Sequence, residues 1–264
     1  MAMKPLIIYH GNCRDGFCSA WVCYRKFPTA KFHPANYGEE LPDPTGYDVF
    51  MVDFSASREV LEAYKTKANS LLVLDHHKTA KEALTGLNYC QFDMNRSGAG
   101  MAWDHFFPAQ PRPWIVNYVE DRDLWRHALP NSPTVNAFIS TLKYDFETWY
   151  KASRLDLEKV TEMGFVVEDK IRQYVTEASK LARRVKIEGI EVPVINCLPP
   201  DNSELLGFLC NGELFSVGWF QRNDGKYVYS LRSKDEFDVS AMAKKFGGGG
   251  HKNSAGFVSD KILF

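Results

Sequence analysis

The chain has 264 residues, 45% of them hydrophobic and 25% charged, with a formal net charge of −1. These values exclude a disordered chain and fit one large or two small globular domains. They also exclude a broad basic face for long duplex nucleic acid, which is bound by clustered Lys and Arg, and leave open a short anionic substrate in a local cleft.

Leu6, Ile7, Ile8 and Tyr9 predict a buried strand, and Phe17, Ala20, Trp21 and Tyr24 predict a helix over 16–26. A strand over 49–52 precedes a helix over 57–67 with Ser57 as its N-cap. A third strand over 71–74 is followed by a short helix over 78–84 and a strand over 87–92. This alternation predicts a mostly parallel sheet covered by helices, and the uninterrupted apolar strands fit a sheet buried on both faces. Helices then dominate, over 99–107, 113–119, 133–142 and 146–150. An amphipathic helix is expected over 157–184, with Val160, Met163, Val167 and Ile171 on its apolar stripe and Gly164 as the weak point in its continuity. Strands over 192–196, 215–220 and 227–232 follow, the last two joined through the hairpin signal Asn223, Asp224, Gly225. A short helix over 239–246 runs into four glycines, 247–250, and His251.

The expected fold is α/β. Residues 1–150 form a mostly parallel sheet flanked by helices, 151–186 a helical connector, and 187–264 a smaller α/β domain. No apolar run approaches the roughly 20 residues that span a bilayer, so no membrane partner is expected. The N-terminus leads into a strand-like run without a signal-peptide pattern. The six cysteines form no C-x-x-C pair and are too sparse for a disulfide scaffold, which points to a cytoplasmic protein with reduced thiols.

Three apolar strands end in metal-capable residues. The first delivers His10 and Asp15, the second Asp53 and Ser55, the third Asp75, His76 and His77. In an open α/β sheet the ligand site lies beyond the carboxyl ends of the strands, where these groups would converge. Clustered carboxylates repel one another unless cations offset the charge. Imidazole with carboxylate suits Mn, Fe, Co or Zn, and the oxygen-rich share favours Mn or Mg. Taken singly, each element has an ordinary reading: a helix cap after the third strand, a hydrogen-bonded core histidine at His10, turn chemistry at Asp53. Three such ends in succession argue for a site.

The sequence resembles the DHH phosphoesterase superfamily in its DHH plus DHHA1 form. His10 to Gly16 resembles the first motif, Asp53 the second, and Asp75, His76 and His77 the third. The segment Glu120, Asp121, Arg122, Asp123, Leu124, Trp125 resembles the fourth. Gly248, Gly249, Gly250 and His251, with Asn253, Ala255 and Gly256, resemble the glycine-rich signature of the C-terminal domain. The resemblance implies one or two divalent ions, usually Mn2+, with Mg2+ or Co2+ as alternatives. It implies His10 and Asp15 on one ion, Asp53 bridging, His76 and Asp121 on the second, with Asp123 as the alternative to Asp121. Asp75 would orient His76, and His77 would face the substrate phosphate. Many members carry a second aspartate two residues after the first. Here that position is Phe17, which cannot bind a metal, so the second ion is expected to be weaker or completed by water or Asp123. Cys13 is read as a soft ligand or as a small residue in a tight turn.

In the C-terminal part, Gly248, Gly249, Gly250 and His251 are expected to expose backbone N–H groups as an anion nest, with Arg232 as a phosphate clamp and stabiliser of developing charge. Arg96 and Ser97 precede a helix and are read as a phosphate contact or as an ordinary cap. Trp219, Phe220, Tyr227 and Tyr229 are read as a stacking platform or as core. The implied activity is hydrolysis of phosphodiester or phosphomonoester bonds in short single-stranded oligonucleotides or dinucleotides by metal-activated water. The rivals are a polyphosphate, pyrophosphate or nucleoside bisphosphate phosphohydrolase, and a non-catalytic nucleotide-binding protein.

Overall fold

A computed structural model describes residues 3–199, 202–234 and 236–264. The chain divides into two compact units, one ending at Glu168 and the other comprising Asp169–Phe264.

In the first unit, β1 (Pro5–His10), β2 (Lys31–Ala35), β3 (Asp48–Val52), β4 (Ser70–Asp75) and β5 (Cys90–Phe92) form one sheet in the order β2-β1-β3-β4-β5. Every pair is parallel. The order reverses between β1 and β3, and such a switch point opens a crevice at the carboxyl ends of its strands. The strands are buried on both faces, as their apolar runs require. Leu6, Ile8, Val49, Met51, Leu71 and Val73 face one core, closed by Leu61 and Tyr64 of α2 (Arg58–Lys67). Ile7, Phe50, Val52 and Leu74 face the other, against α1 (Arg14–Lys26), α4 (Gly98–Phe106) and α5 (Trp114–Asp123). A short α3 (Lys78–Ala83) follows β4, while α6 (Ser132–Ser140) and α7 (Phe146–Ser153) complete the second core.

Sequence patterning missed β2, an edge strand that is only partly buried and contains Pro34, which an edge tolerates because it need not donate to a second neighbour. The long helix, α8 (Leu157–Ser179), is continuous through Gly164. A Cβ on Gly164 would lie 2.1 Å from the Thr134 carbonyl oxygen, so glycine is what lets α8 approach α6. The helix ends at Ser179, short of the expected 184. The charged segment beyond it is β6 (Arg183–Ile187), because Arg183 to Ile187 pair antiparallel with β7 (Ile190–Asn196).

The second unit is a six-stranded sheet in the order β10-β11-β9-β8-β7-β6. It adds β8 (Phe215–Gln221), β9 (Tyr227–Ser233), β10 (Gly249–His251) and β11 (Ser254–Ser259), with helices α9 (Asn202–Leu209) and α10 (Val239–Lys245). β7 and β8 pair in parallel, and the other neighbouring strands are antiparallel among the described residues. The expected hairpin joins β8 to β9, with Gly225 at φ +84° in its turn. Sequence patterning missed α9, β10 and β11 in this unit. All six cysteines are free. Among the described residues no helix is long and apolar enough to cross a membrane.

Candidate metal centre

The carboxyl ends of β1, β3 and β4 carry the polar residues anticipated there. After His10 the chain passes through Asn12 at φ +54° into α1, whose N-cap is Cys13. A Cβ on Gly16 would sit 2.1 Å from the His10 carbonyl oxygen, so only glycine lets α1 begin this close to β1. Asp53 follows β3 with φ +54°, a left-handed conformation that costs a residue with a Cβ on the order of 1 kcal/mol. Its N–H is anchored on the Leu74 carbonyl at 2.9 Å, which fixes the turn. Asp15 receives the N–H groups of Gly98 (2.6 Å) and Ala99 (3.1 Å) at the start of α4.

These constraints converge on the His76 imidazole. Its Nε2 lies 3.0 Å from Asp53 Oδ1, 3.4 Å from Asp123 Oδ2 and 3.5 Å from Asp15 Oδ2. On the opposite side Asp53 turns Oδ2 toward His10 Nδ1, 3.6 Å away. Asp15, Asp53 and His76 offer ligand atoms within 4.8 Å of one another, as do His10, Cys13 and Asp53. Asp53 therefore belongs to several neighbouring donor sets, a further one being formed with Asp75 and His77, with its Oδ1 toward His76 and its Oδ2 toward His10.

The electrostatics agree with a cation site. Burial, then repulsion from Asp53 and Asp123, pushes the Asp15 carboxyl well above its ordinary range. Burial also raises Asp123. Burial would raise Asp53 too, but His10 and His76 outweigh it and hold Asp53 well below the usual range. Asp53 Oδ2, Asp123 Oδ2 and His10 Nδ1 are buried atoms without a hydrogen-bond partner, a costly arrangement for a protein that leaves them unligated. Buried carboxylates and imidazoles with orphaned donor atoms fit divalent transition metals.

Several expected roles fall differently. Asp121 turns to the chain that follows it: it accepts from Ala128 N (2.9 Å) and from Ser132 Oγ (2.5 Å) and so ties down the loop into α6. Asp123, two residues on, is the carboxylate that reaches His76. Asp15 is grouped with His76, not with His10 as the resemblance implied. Asp75 holds the ring of His77 through Nδ1 at 2.7 Å and accepts from the backbone N–H of His76 at 2.7 Å. Ser55 Oγ donates to the other Asp75 oxygen, so the Ser55 turn steadies the third motif.

Ser97 caps α4, accepting from Gly100 N at 3.2 Å. Arg96 is spent on Asp93 (2.8 Å) and Asp104 (3.0 Å). These carboxylates neutralise the guanidinium that the sequence offered to a phosphate. In the second unit Arg232 donates to Ser203 Oγ at 2.8 Å. The glycine run is not an open nest. Gly249, Gly250 and His251 form β10, paired with Gly256, Ala255 and Ser254, and the N–H of Gly248 is spent on the Ala243 carbonyl. A Cβ on Gly248 would lie 2.1 Å from the Gly256 carbonyl oxygen, so close strand packing explains that glycine. Tyr229 is buried and stacks on Phe257 at 4.8 Å, which makes it core.

One residue beside the site escaped the sequence reading. Tyr37, 57% exposed, presents its ring edge-on to His10 (5.8 Å) and His77 (6.3 Å) and packs on Phe54 (5.1 Å). It follows the unpredicted strand β2, and no motif marks it.

Residues 211–262 match the DHHA1 domain family. That segment contains β8, β9, β10 and β11, and the parallel sheet earlier in the sequence carries Asp75, His76 and His77 at a strand end. This match agrees with the resemblance of the sequence to the DHH/DHHA1 phosphoesterase superfamily. The same fold is seen in a solved structure, a pGpG-specific phosphodiesterase, PggH, from Vibrio cholerae, with TM-score 0.55 and 12% identity over 97% of this chain and 92% of that one. It is also seen in an exopolyphosphatase-related protein from Bacteroides fragilis, with TM-score 0.57 and 11% identity over 99% and 88%. An uncharacterized protein, R106, of Acanthamoeba polyphaga mimivirus is 28% identical over 97% of this chain and 68% of its own length.

Proposed function

We propose that this protein is a metal-dependent phosphodiesterase acting on short oligonucleotides or dinucleotides. The observation that carries the reading is the position of Asp53: its Oδ1 lies 3.0 Å from His76 Nε2, which Asp15 and Asp123 also approach, and its Oδ2 lies 3.6 Å from His10 Nδ1. Asp53 is the residue that would bridge two ions. Mn2+ fits this oxygen-rich set, with Mg2+ and Co2+ as alternatives. Bound there, divalent ions supply hydroxide near neutral pH and offset charge at the phosphoryl oxygens.

The chain's own residues do the remaining work. The α4 amides hold Asp15, and the Leu74 carbonyl holds the Asp53 peptide, so the carboxylates are positioned before substrate arrives. Such preorganisation avoids reorganisation cost during reaction. Asp75 fixes the His77 ring, whose Nε2 is the atom to meet a phosphoryl oxygen. Tyr37 beside His10 and His77 offers an aromatic face for a base, which favours nucleotides over naked polyphosphate. The PggH neighbour, a pGpG-specific phosphodiesterase, supports a dinucleotide-sized substrate. The exopolyphosphatase-related neighbour keeps a polyphosphate or nucleoside bisphosphate substrate as the second reading.

The test is hydrolysis of a labelled dinucleotide with Mn2+ by wild type and Asp53→Asn, with tripolyphosphate as competitor. The variant is expected to lose about three orders of magnitude, since metal charge stabilisation is worth several kcal/mol. Undiminished turnover by Asp53→Asn overturns the assignment of Asp53. Preferred cleavage of tripolyphosphate moves the substrate to the second reading.

A further inference from the structure

The side of Asp53 that faces His10 contains a third donor. Cys13 Sγ lies with His10 and Asp53 in one set of ligand atoms, all within 4.8 Å of one another. Cys13 is the N-cap of α1, yet its side chain makes no capping hydrogen bond. The other two members each turn a buried orphan atom, His10 Nδ1 and Asp53 Oδ2, and Asp53 itself is 1% exposed. Phe17, two residues after Asp15, is no part of this set. Its ring stacks on Tyr144 (5.1 Å) and Phe146 (5.3 Å) inside the aromatic core. The side chain that completes the donors lies two residues before Asp15, not two after it.

We infer that Cys13 is a thiolate ligand of the ion held by His10 and Asp53. As the sulfur–metal bond forms, the thiol gives its proton to solvent. An N, S and O donor set selects borderline ions such as Zn2+, Co2+ or Fe2+ over Mg2+. The position on the other oxygen of Asp53, built from carboxylates and one imidazole, keeps the harder preference. The two positions would thus differ in metal identity. This inference rests on the metal-centre reading above.

Cobalt tests it without any assay of turnover. Metal-free protein is titrated with Co2+ and followed by absorption. Wild type is expected to show cobalt ligand-field bands together with a sulfur-to-cobalt charge-transfer band in the near ultraviolet. Cys13→Ser and Cys13→Asp should keep the ligand-field bands and lose the charge-transfer band, while Cys90→Ser should keep both. Ligand-field bands without charge transfer in wild type overturn the role of Cys13 and leave the metal-centre reading standing. Charge transfer that persists in either Cys13 variant also overturns it. No cobalt uptake by wild type overturns both. Should Cys13→Ser fail to fold, the wild-type spectrum and Cys13→Asp still decide the question.

Discussion

Gly98 packs directly against Asp53: a Cβ at position 98 would lie 2.4 Å from Asp53 Cβ and 2.8 Å from its Cα. The start of α4 thus touches the residue that would bridge the metal positions, while its amides grip Asp15. Gly98→Ala is expected to displace one or the other. Divalent-ion affinity measured by calorimetry should fall roughly 10- to 100-fold, as for other changes to the groups supporting a ligand. Unchanged affinity with an intact circular dichroism spectrum would remove Asp53 from the ligand set.

Metal binding should strengthen with pH. Burial lowers the pKa of His76, but Asp53, Asp123 and Asp15 outweigh it and hold it well above the ordinary value. The same contest at His10, with Asp53 and Cys13 on the raising side, ends the same way. A folded pKa above the unfolded value of about 6.5 stabilises the metal-free protein fully below that pH. The stabilisation is lost as pH rises through the raised folded values. A metal needs the neutral imidazole and must displace the proton. The increase in melting temperature given by saturating Mn2+ should therefore widen as pH rises above about 6.5. A constant increase would separate these histidines from the metal.

Tyr37 should govern substrate selection more than chemistry. Tyr37→Ala is expected to raise KM for a dinucleotide about five- to a hundredfold, the equivalent of roughly 1–3 kcal/mol of lost stacking. KM for tripolyphosphate should stay put, and Tyr37→Phe should resemble wild type on both. Equal losses on the two substrates would make Tyr37 a general support for His10 and His77.

Gly164 offers a prediction about stability alone. With the Thr134 carbonyl only 2.1 Å from where a Cβ would lie, Gly164→Ala must push α8 from α6. The gain in helix propensity, about 1 kcal/mol, cannot offset a clash with backbone. Overpacking of this kind costs roughly 1–3 kcal/mol. Thermal unfolding should show a net loss, and a stabilised variant would mean the helices part freely.

The N-terminal sheet was legible because its strands carry uninterrupted apolar runs, and burial on both faces is a local composition signal. The strand ends were legible for a related reason: His10, Asp53 and Asp75 each interrupt such a run with a polar group. The glycine-rich segment misled, because Gly248 is required by the nearness of β11, a partner that pattern alone does not reveal. β6 hid in a charged segment whose pairing with β7 outweighs its composition.

Sequence by itself determined which residues could carry metal chemistry and that three strand ends would bring them together. Tertiary structure decided how those residues divide the work. Asp121 and Asp123 sit two apart on one helix, and only the fold shows that one ties down a loop while the other reaches His76. It likewise turned Asp75 toward His77, spent Arg96 on carboxylates and placed Tyr37 at the site. The reason is one of range. Periodicity and strand ends are set by neighbours along the chain, whereas a side chain's partner is set by contacts between elements far apart in sequence.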